Sequence, residues 1–225
     1  MKESTSILLL RTYIIQIVKW YVLIDMMKYC REVFNMSKPV ICITSKMREC
    51  AFKFAKKIET EKNQYPRLHQ SLTVLIETTY VGKLGEICFL KYLIDNGVSQ
   101  DTQGMFEIFE GQENVDSYDF VQKNGKKVDI KTGYLSKHKR LMVNASQLKN
   151  NPKDIYVGVK LYTDKGAPNV AGEADINSWT AACIEGYAFK NYVVNAGSRN
   201  WGKASANAIY YDKLRNVDDL IRYFK

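Results

Sequence analysis

Two rhythms of hydrophobic and polar positions run along the chain. A period near 3.6 begins after residue 44. Met47, Ala51, Phe54 and Ile58 fall on one face of the segment, its lysines fall opposite, and Ser45 stands where an N-cap belongs. Pro66 closes that stretch. Residues 72–96 carry a second, longer helical pattern that ends at an Asn96-Gly97 stop signal. Gly82 and Gly85 lie inside it, and each costs about 1 kcal/mol relative to alanine, so the spacing predicts a close approach by another element there. Strand-like runs are expected over residues 37–44, 104–111, 118–133, 154–162, 180–194 and 208–211. A short helix over 144–150 and a terminal one over 217–224 complete the reading.

Residues 118–133 (YDFVQKNGKKVDIKTG) read as two strands about a tight Asn124-Gly125 turn. Asp119 lies on the first strand, and Asp129 and Lys131 on the second. A two-residue loop puts the two aspartates on opposite faces of the sheet. A three-residue loop, Lys123-Asn124-Gly125 with Gly125 left-handed, brings Asp119, Asp129 and Lys131 to one face. That register is expected to set Asp119 against Lys131. Two acids and a lysine on neighbouring strands carry a desolvation cost unless they pair or bind something.

The 225 residues include 33 Lys+Arg and 24 Asp+Glu, a net charge of +9 that favours a polyanionic partner, nucleic acid above all. Five scattered cysteines with no CxxC pair read as reduced core residues of a cytoplasmic protein. With only His69 and His138, a histidine metal site or a catalytic triad is excluded as the main chemistry. Residues 7–24 are the most apolar stretch, an amphipathic helix whose Arg11 and Lys19 argue against a stable membrane span. We read residues 1–36 as an N-terminal appendage for packing on the domain or on a second copy of the chain. Met36 is an alternative start.

Three charged features admit two readings each. The row Lys137, His138, Lys139, Arg140 is either a solvated loop or a phosphate clamp. The segment 195–207, with Arg199, Trp201 and Lys203, suits groove or single-strand contacts, or is a surface loop with Trp201 folded inward. Glu86 shares the side of its helix that carries Leu90 and Leu93, so it pairs with a lysine, Lys131 among the candidates, or ligates a metal.

Taken together, an acid on one strand, acid-x-lysine on the next and a glutamate on the preceding helix resemble the PD-(D/E)xK nuclease superfamily. Asp119 matches the first acid, with Asp116 as its rival. Asp129 and Lys131 match the acid-x-lysine pair, and Glu86 the helical acid. Tyr118 stands where the motif name has proline. The resemblance covers about residues 72–162. It implies an α/β fold with a restriction-endonuclease-like αβββαβ core, a mixed central sheet flanked by helices, over residues 37–225. It implies a Mg²⁺-dependent DNA endonuclease in which Mn²⁺ can substitute. Glu86, Asp119, Asp129 and the Ile130 carbonyl would hold metal, and Lys131 would serve the attacking water. Lys137, Lys139, Arg140, Arg199 and Lys203 would contact DNA, with a homodimer as a natural assembly and no small-molecule substrate. The alternatives are a basic DNA-binding protein without catalysis, or a junction-resolving or RNA-acting member of the superfamily.

Overall fold

The computed structural model describes residues 38–60, 72–102, 105, 119–202 and 204–225. The predicted appendage over residues 1–36, the strand expected at 104–111 apart from Met105, Asp116 and Lys203 lie outside the described residues. The chain is a mixed α/β protein. Strand β1 (Val40–Cys42) leads into helices α1 (Ser45–Thr60) and α2 (Leu72–Asp95). Strands β2 (Phe120–Val121), β3 (Lys127–Gly133) and β4 (Arg140–Asn144) follow, then the short helix α3 (Ala145–Asn150) and strand β5 (Ile155–Thr163). The chain ends with β6 (Trp179–Phe189), α4 (Lys190–Asn195), β7 (Ser198–Asn200), β8 (Ser205–Tyr210) and α5 (Asp218–Ile221).

Among the described residues a curled five-stranded sheet in the order β1-β6-β5-β3-β2 forms the centre, and its only parallel pair is β3 with β5. A smaller antiparallel sheet, β4-β8-β7, stands beside it. Side-chain alternation divides the large sheet. Val128, Ile130, Ile155, Val157 and Val159 join Leu84, Cys88, Phe89 and Leu93 of α2 in the main core. On the opposite face Tyr156 and Ala188 pack with Leu141, Val143 and Ile209 of the small sheet. Asp129, Lys131 and Gly133 have the parity of that second face.

Several expectations shift in detail. Thr44, not Ser45, caps α1, its hydroxyl accepting the Met47 N–H at 3.3 Å. The buried stripe of α1 runs through Ala51 and Ala55, while Phe54 is only half-buried and carries the Lys83 ammonium over its ring. The stretch 180–194 divides at Phe189, where the chain turns into α4. Part of the loop expected over 195–207 is β7, paired to β8.

Of the two helical glycines, Gly85 meets the expected neighbour and Gly82 does not. A β-carbon at Gly85 would overlap the Thr132 side chain, whereas nothing lies within 4 Å of one at Gly82. Alanine at 85 gains about 1 kcal/mol of helix propensity but overpacks the α2–β3 contact by about 1–3 kcal/mol. Gly85→Ala should therefore destabilise the fold by about 1 kcal/mol, and Gly82→Ala should stabilise it, in urea titrations of the two variants.

Candidate active site on the β2–β3 hairpin

The hairpin forms with the odd loop. Gln122 and Lys126 close it, the Gly125 N–H donates to the Gln122 carbonyl at 2.9 Å, and Gly125 has φ +78°. Its register differs from the expected one by two residues. Phe120 pairs with Val128 and Val121 with Lys127, so Asp119 comes beside Asp129 and Ile130 instead of Lys131. The loop is the expected Lys123-Asn124-Gly125, and counting outwards from its closing pair Gln122–Lys126 gives Asp119 opposite Asp129, so the expectation of Lys131 miscounted the ladder by two residues. A two-residue slip preserves parity, so Asp119, Asp129 and Lys131 keep a common face.

Each of the three side chains is held. Asp119 Oδ2 accepts the Ile130 N–H at 2.6 Å, which fastens the entry to β2 onto β3. Burial pushes the Asp119 carboxyl well above its usual range. Glu86 and Asp129 push it the same way, against the Ile130 N–H and Lys131. Lys131 Nζ lies 2.6 Å from Asp129 Oδ2 and donates to Gln147 Oε1 on α3 at 3.0 Å. The Asp129–Lys131 contact is close but poorly aligned, leaving Asp129 Oδ2 a buried oxygen with no hydrogen-bond donor. Such an atom is costly in a core and useful at a cation site.

Glu86 does not reach Lys131. It pairs with Lys83 one turn away, and Lys83 also donates to the Met105 carbonyl at 3.0 Å. Its charge still bears on Asp119. Among the described residues no three acid, histidine or cysteine side chains converge as a ready metal cage. The hard-oxygen pair Asp119 and Asp129 nonetheless suits Mg²⁺, which is commonly held by one or two carboxylates plus water and substrate phosphate.

Sequence reading missed three neighbours. Lys153 is buried beside the acids, its Nζ on the Asn151 carbonyl and its N–H on the Tyr156 hydroxyl, both at 2.9 Å. Burial lowers its pKa, and the charges of Asp129 and Asp119 oppose that. Tyr156 pairs in register with Asp129, and Gln147 holds Lys131. Only the Asn144-capped helix signal pointed toward Gln147. A lysine in an Asn-Pro-Lys turn carries no sign that it is buried.

The cationic residues separate into two groups. Lys137 and Lys139 are exposed on the loop between β3 and β4. Arg140 opens β4 and lies over the rings of Tyr210 at 4.0 Å and Trp201 at 4.9 Å. Arg140 pairs with Tyr210 and Arg199 with Ala206 across β8, four residues apart, so the two arginines share one face of the small sheet.

His138 belongs to the scaffold. Its Nδ1 accepts the N–H groups of Tyr134 and Leu135 at 3.2 and 3.3 Å, and burial, with Lys160 and Lys137 nearby, lowers its pKa to about 4. A histidine with a depressed folded pKa contributes stability that is complete above its unfolded value, near 6.5, and fades as pH falls toward 4. Urea titrations should show this loss between pH 6.5 and 4, and His138→Asn should lack it. Equal pH slopes in the two proteins would refute the assignment.

Comparisons with known protein families, with curated proteins and with solved structures find no match to this chain. Among the described residues no helix is long and apolar enough to cross a membrane.

Proposed function

We propose that the chain is a Mg²⁺-dependent endonuclease of DNA, built on a restriction-endonuclease-like αβββαβ core. The observation that carries this reading is the convergence of Asp119, Asp129 and Lys131 on one face of the β2–β3 hairpin, with Lys131 Nζ 2.6 Å from the buried Asp129 Oδ2. The order of elements supports it in part: helix α2, the β2–β3 hairpin, then α3 and a β5 strand parallel to β3, whereas β4 pairs in the smaller sheet and not in the central one.

In this reading Asp119 and Asp129 hold the cation, which when bound supplies charge stabilisation for the phosphorane and the leaving oxygen. Glu86 would join as a ligand by exchanging the Lys83 ammonium for the metal. Lys131, oriented by Gln147, would orient the attacking water as an ammonium, and would accept that water's proton only after releasing its own proton to solvent. Lys153 offsets part of the acid charge when no metal is bound.

A second reading has its own observation. Lys131 is ion-paired with Asp129 and hydrogen-bonded to Gln147, which is also what a structural ion-pair cluster in a non-catalytic DNA-binding protein requires. Incubation of supercoiled plasmid, linear duplex, four-way junction and single-stranded DNA in Mg²⁺ against EDTA separates the two. Cleavage in Mg²⁺ alone supports the nuclease. Retention of DNA on the protein in both buffers, without cleavage, supports the second reading.

Either way, binding should weaken steeply with salt, given a net charge of +9. Replacing Lys137, Lys139 and Arg140 by alanine should lower the slope of log K against log salt by about 2 rather than 3. The Arg140 guanidinium is already engaged by Tyr210 and Trp201. An unchanged slope would make the row a solvated loop.

A further inference from the structure

The face of the large sheet that carries Asp129 and Lys131 continues into a cleft. In the β3–β5 register Asp129 pairs with Tyr156, Lys131 with Gly158 and Gly133 with Lys160. One same-face step, about 6.6 Å, therefore separates the level of Lys131 from that of Lys160, comparable to one nucleotide of an extended strand. The cleft beyond measures about 790 Å³, within the range of pockets that enclose a small molecule.

Its chemistry is mixed in a particular way. Tyr162 and Tyr211 form apolar walls with polar edges, and half-exposed Tyr210 stands at the mouth. The space that β-carbons would fill at Gly133 and Gly158 is occupied by the Tyr211 ring and hydroxyl, which seats this tyrosine between the Lys131 level and the cleft. Lys160 forms the floor, its buried Nζ donating to the carbonyls of Leu135 and His138. Burial lowers its pKa to about 8, an ammonium that an incoming anion would stabilise. Glu185, the acid of the interior, is neutralised by Lys38 at 2.9 Å. At the rim stand Lys139 and Lys213, the latter 3.4 Å from Asp212 in an exposed pair of small worth.

We propose that this cleft takes one unpaired nucleotide of a DNA strand, adjoining the phosphodiester held at Asp129 and Lys131, with its base among the tyrosines and its phosphate at the rim lysines. The inference rests on the nuclease reading for its register and extends it by naming the substrate: a single-stranded or locally opened strand, not intact duplex. Aromatic walls with cations at the edge are the features by which single strands are gripped without sequence readout. A base still paired and stacked in a duplex cannot enter a pocket of this size, so the strand must be open there already or must extrude the base.

The test uses the full chain in EDTA, so that binding is measured without cleavage. A labelled single-stranded 12-mer, its blunt duplex and inorganic phosphate serve as probes at one salt concentration. The single strand should bind at least about tenfold more tightly than the duplex. Tyr210→Ala should weaken the single strand by about tenfold and leave the duplex nearly unchanged, whereas Lys139→Ala with Lys213→Ala should weaken the single strand by about tenfold and the duplex by less, because Lys139 also belongs to the row read as a phosphate clamp. Both variants alter exposed side chains, and circular dichroism verifies that they fold. Equal affinity for the two DNA forms, or single-strand binding unchanged in both variants, would overturn the proposal. So would phosphate that displaces the single strand from wild type but not from the double-lysine variant, since that describes an anion site alone. A parallel Mg²⁺ digest keeps the two readings apart. Single-strand preference without cleavage leaves the cleft standing and removes the nuclease, whereas cleavage of intact duplex with no such preference does the reverse.

Discussion

Lys131→Ala should reduce Mg²⁺-dependent cleavage by about 10³-fold in single-turnover assays, the scale of a lost proton-transfer or charge-stabilising group. Among the described residues the Lys131 ammonium is the cation ion-paired with Asp129, and Gln147 fixes its direction. The same substitution leaves Asp129 Oδ2 buried with neither ion pair nor donor, so the metal-free variant should also lose stability, by about 1–3 kcal/mol. Saturating Mg²⁺ should restore much of that stability and none of the activity, because the metal replaces the missing charge at Asp129 but not a base on the attacking water. Lys131→Arg separates charge from chemistry. It keeps a cation beside Asp129 and should fold like wild type, yet guanidinium gives up a proton too reluctantly to serve as a base. Cleavage within a few-fold of wild type by the alanine variant would remove Lys131 from the mechanism.

How much of this arrangement the sequence carried depends on the range of the interaction. The hairpin was legible because Asn124-Gly125 and the alternating β-branched residues act locally. Gly125 adopts the left-handed conformation that the odd loop demands. Parity, and so the common face of the two acids and the lysine, followed from that loop length. The pairing partner of Asp119 follows from the same loop, since Gln122–Lys126 as the closing pair sets Asp119 against Asp129; the expectation of Lys131 was a miscount of the ladder and not a limit of the sequence.

Glu86 does mark a limit. Its helix position was evident, but its partner depended on which ammonium lies nearer in space. Lys83, one turn away on the same helix, reaches it where Lys131 does not. Lys153 and the cleft residues were invisible for a related reason. They are brought to the site by β5, by the turn before it and by the segment after β8, elements far apart in sequence whose own patterns announce only burial. The strand 154–162 read as core, and it is, yet alternate positions on it (Tyr156, Gly158, Lys160) face the candidate chemistry instead of α2.

Asp119→Asn should move stability and activity in opposite directions. In the metal-free protein Asp119 is a buried acid whose neighbours Glu86 and Asp129 disfavour its charge. An asparagine oxygen can still accept the Ile130 N–H, so the tie between the β2 entry and β3 survives while the repulsion is removed. The variant should gain about 1 kcal/mol, the size usual for relieving a strained functional position, or about 3 °C in Tm for a chain of this size. The sign with pH follows from linkage. A carboxyl whose folded pKa is raised binds more protons in the native state than in the unfolded one, so it lowers stability as pH rises from its unfolded value toward its folded one. The advantage of Asp119→Asn over wild type should grow across that window and level off above it. In the same variant Mg²⁺ should no longer raise Tm, and cleavage should fall by at least about 10²-fold, since one of two metal-holding carboxylates is gone. If the acids were a structural ion-pair cluster, removing one would destabilise the protein at neutral pH and Mg²⁺ would matter to neither form. Thermal melts of the two proteins with and without Mg²⁺ at neutral pH therefore decide between a metal site and a salt-bridge cluster, even before a substrate is known.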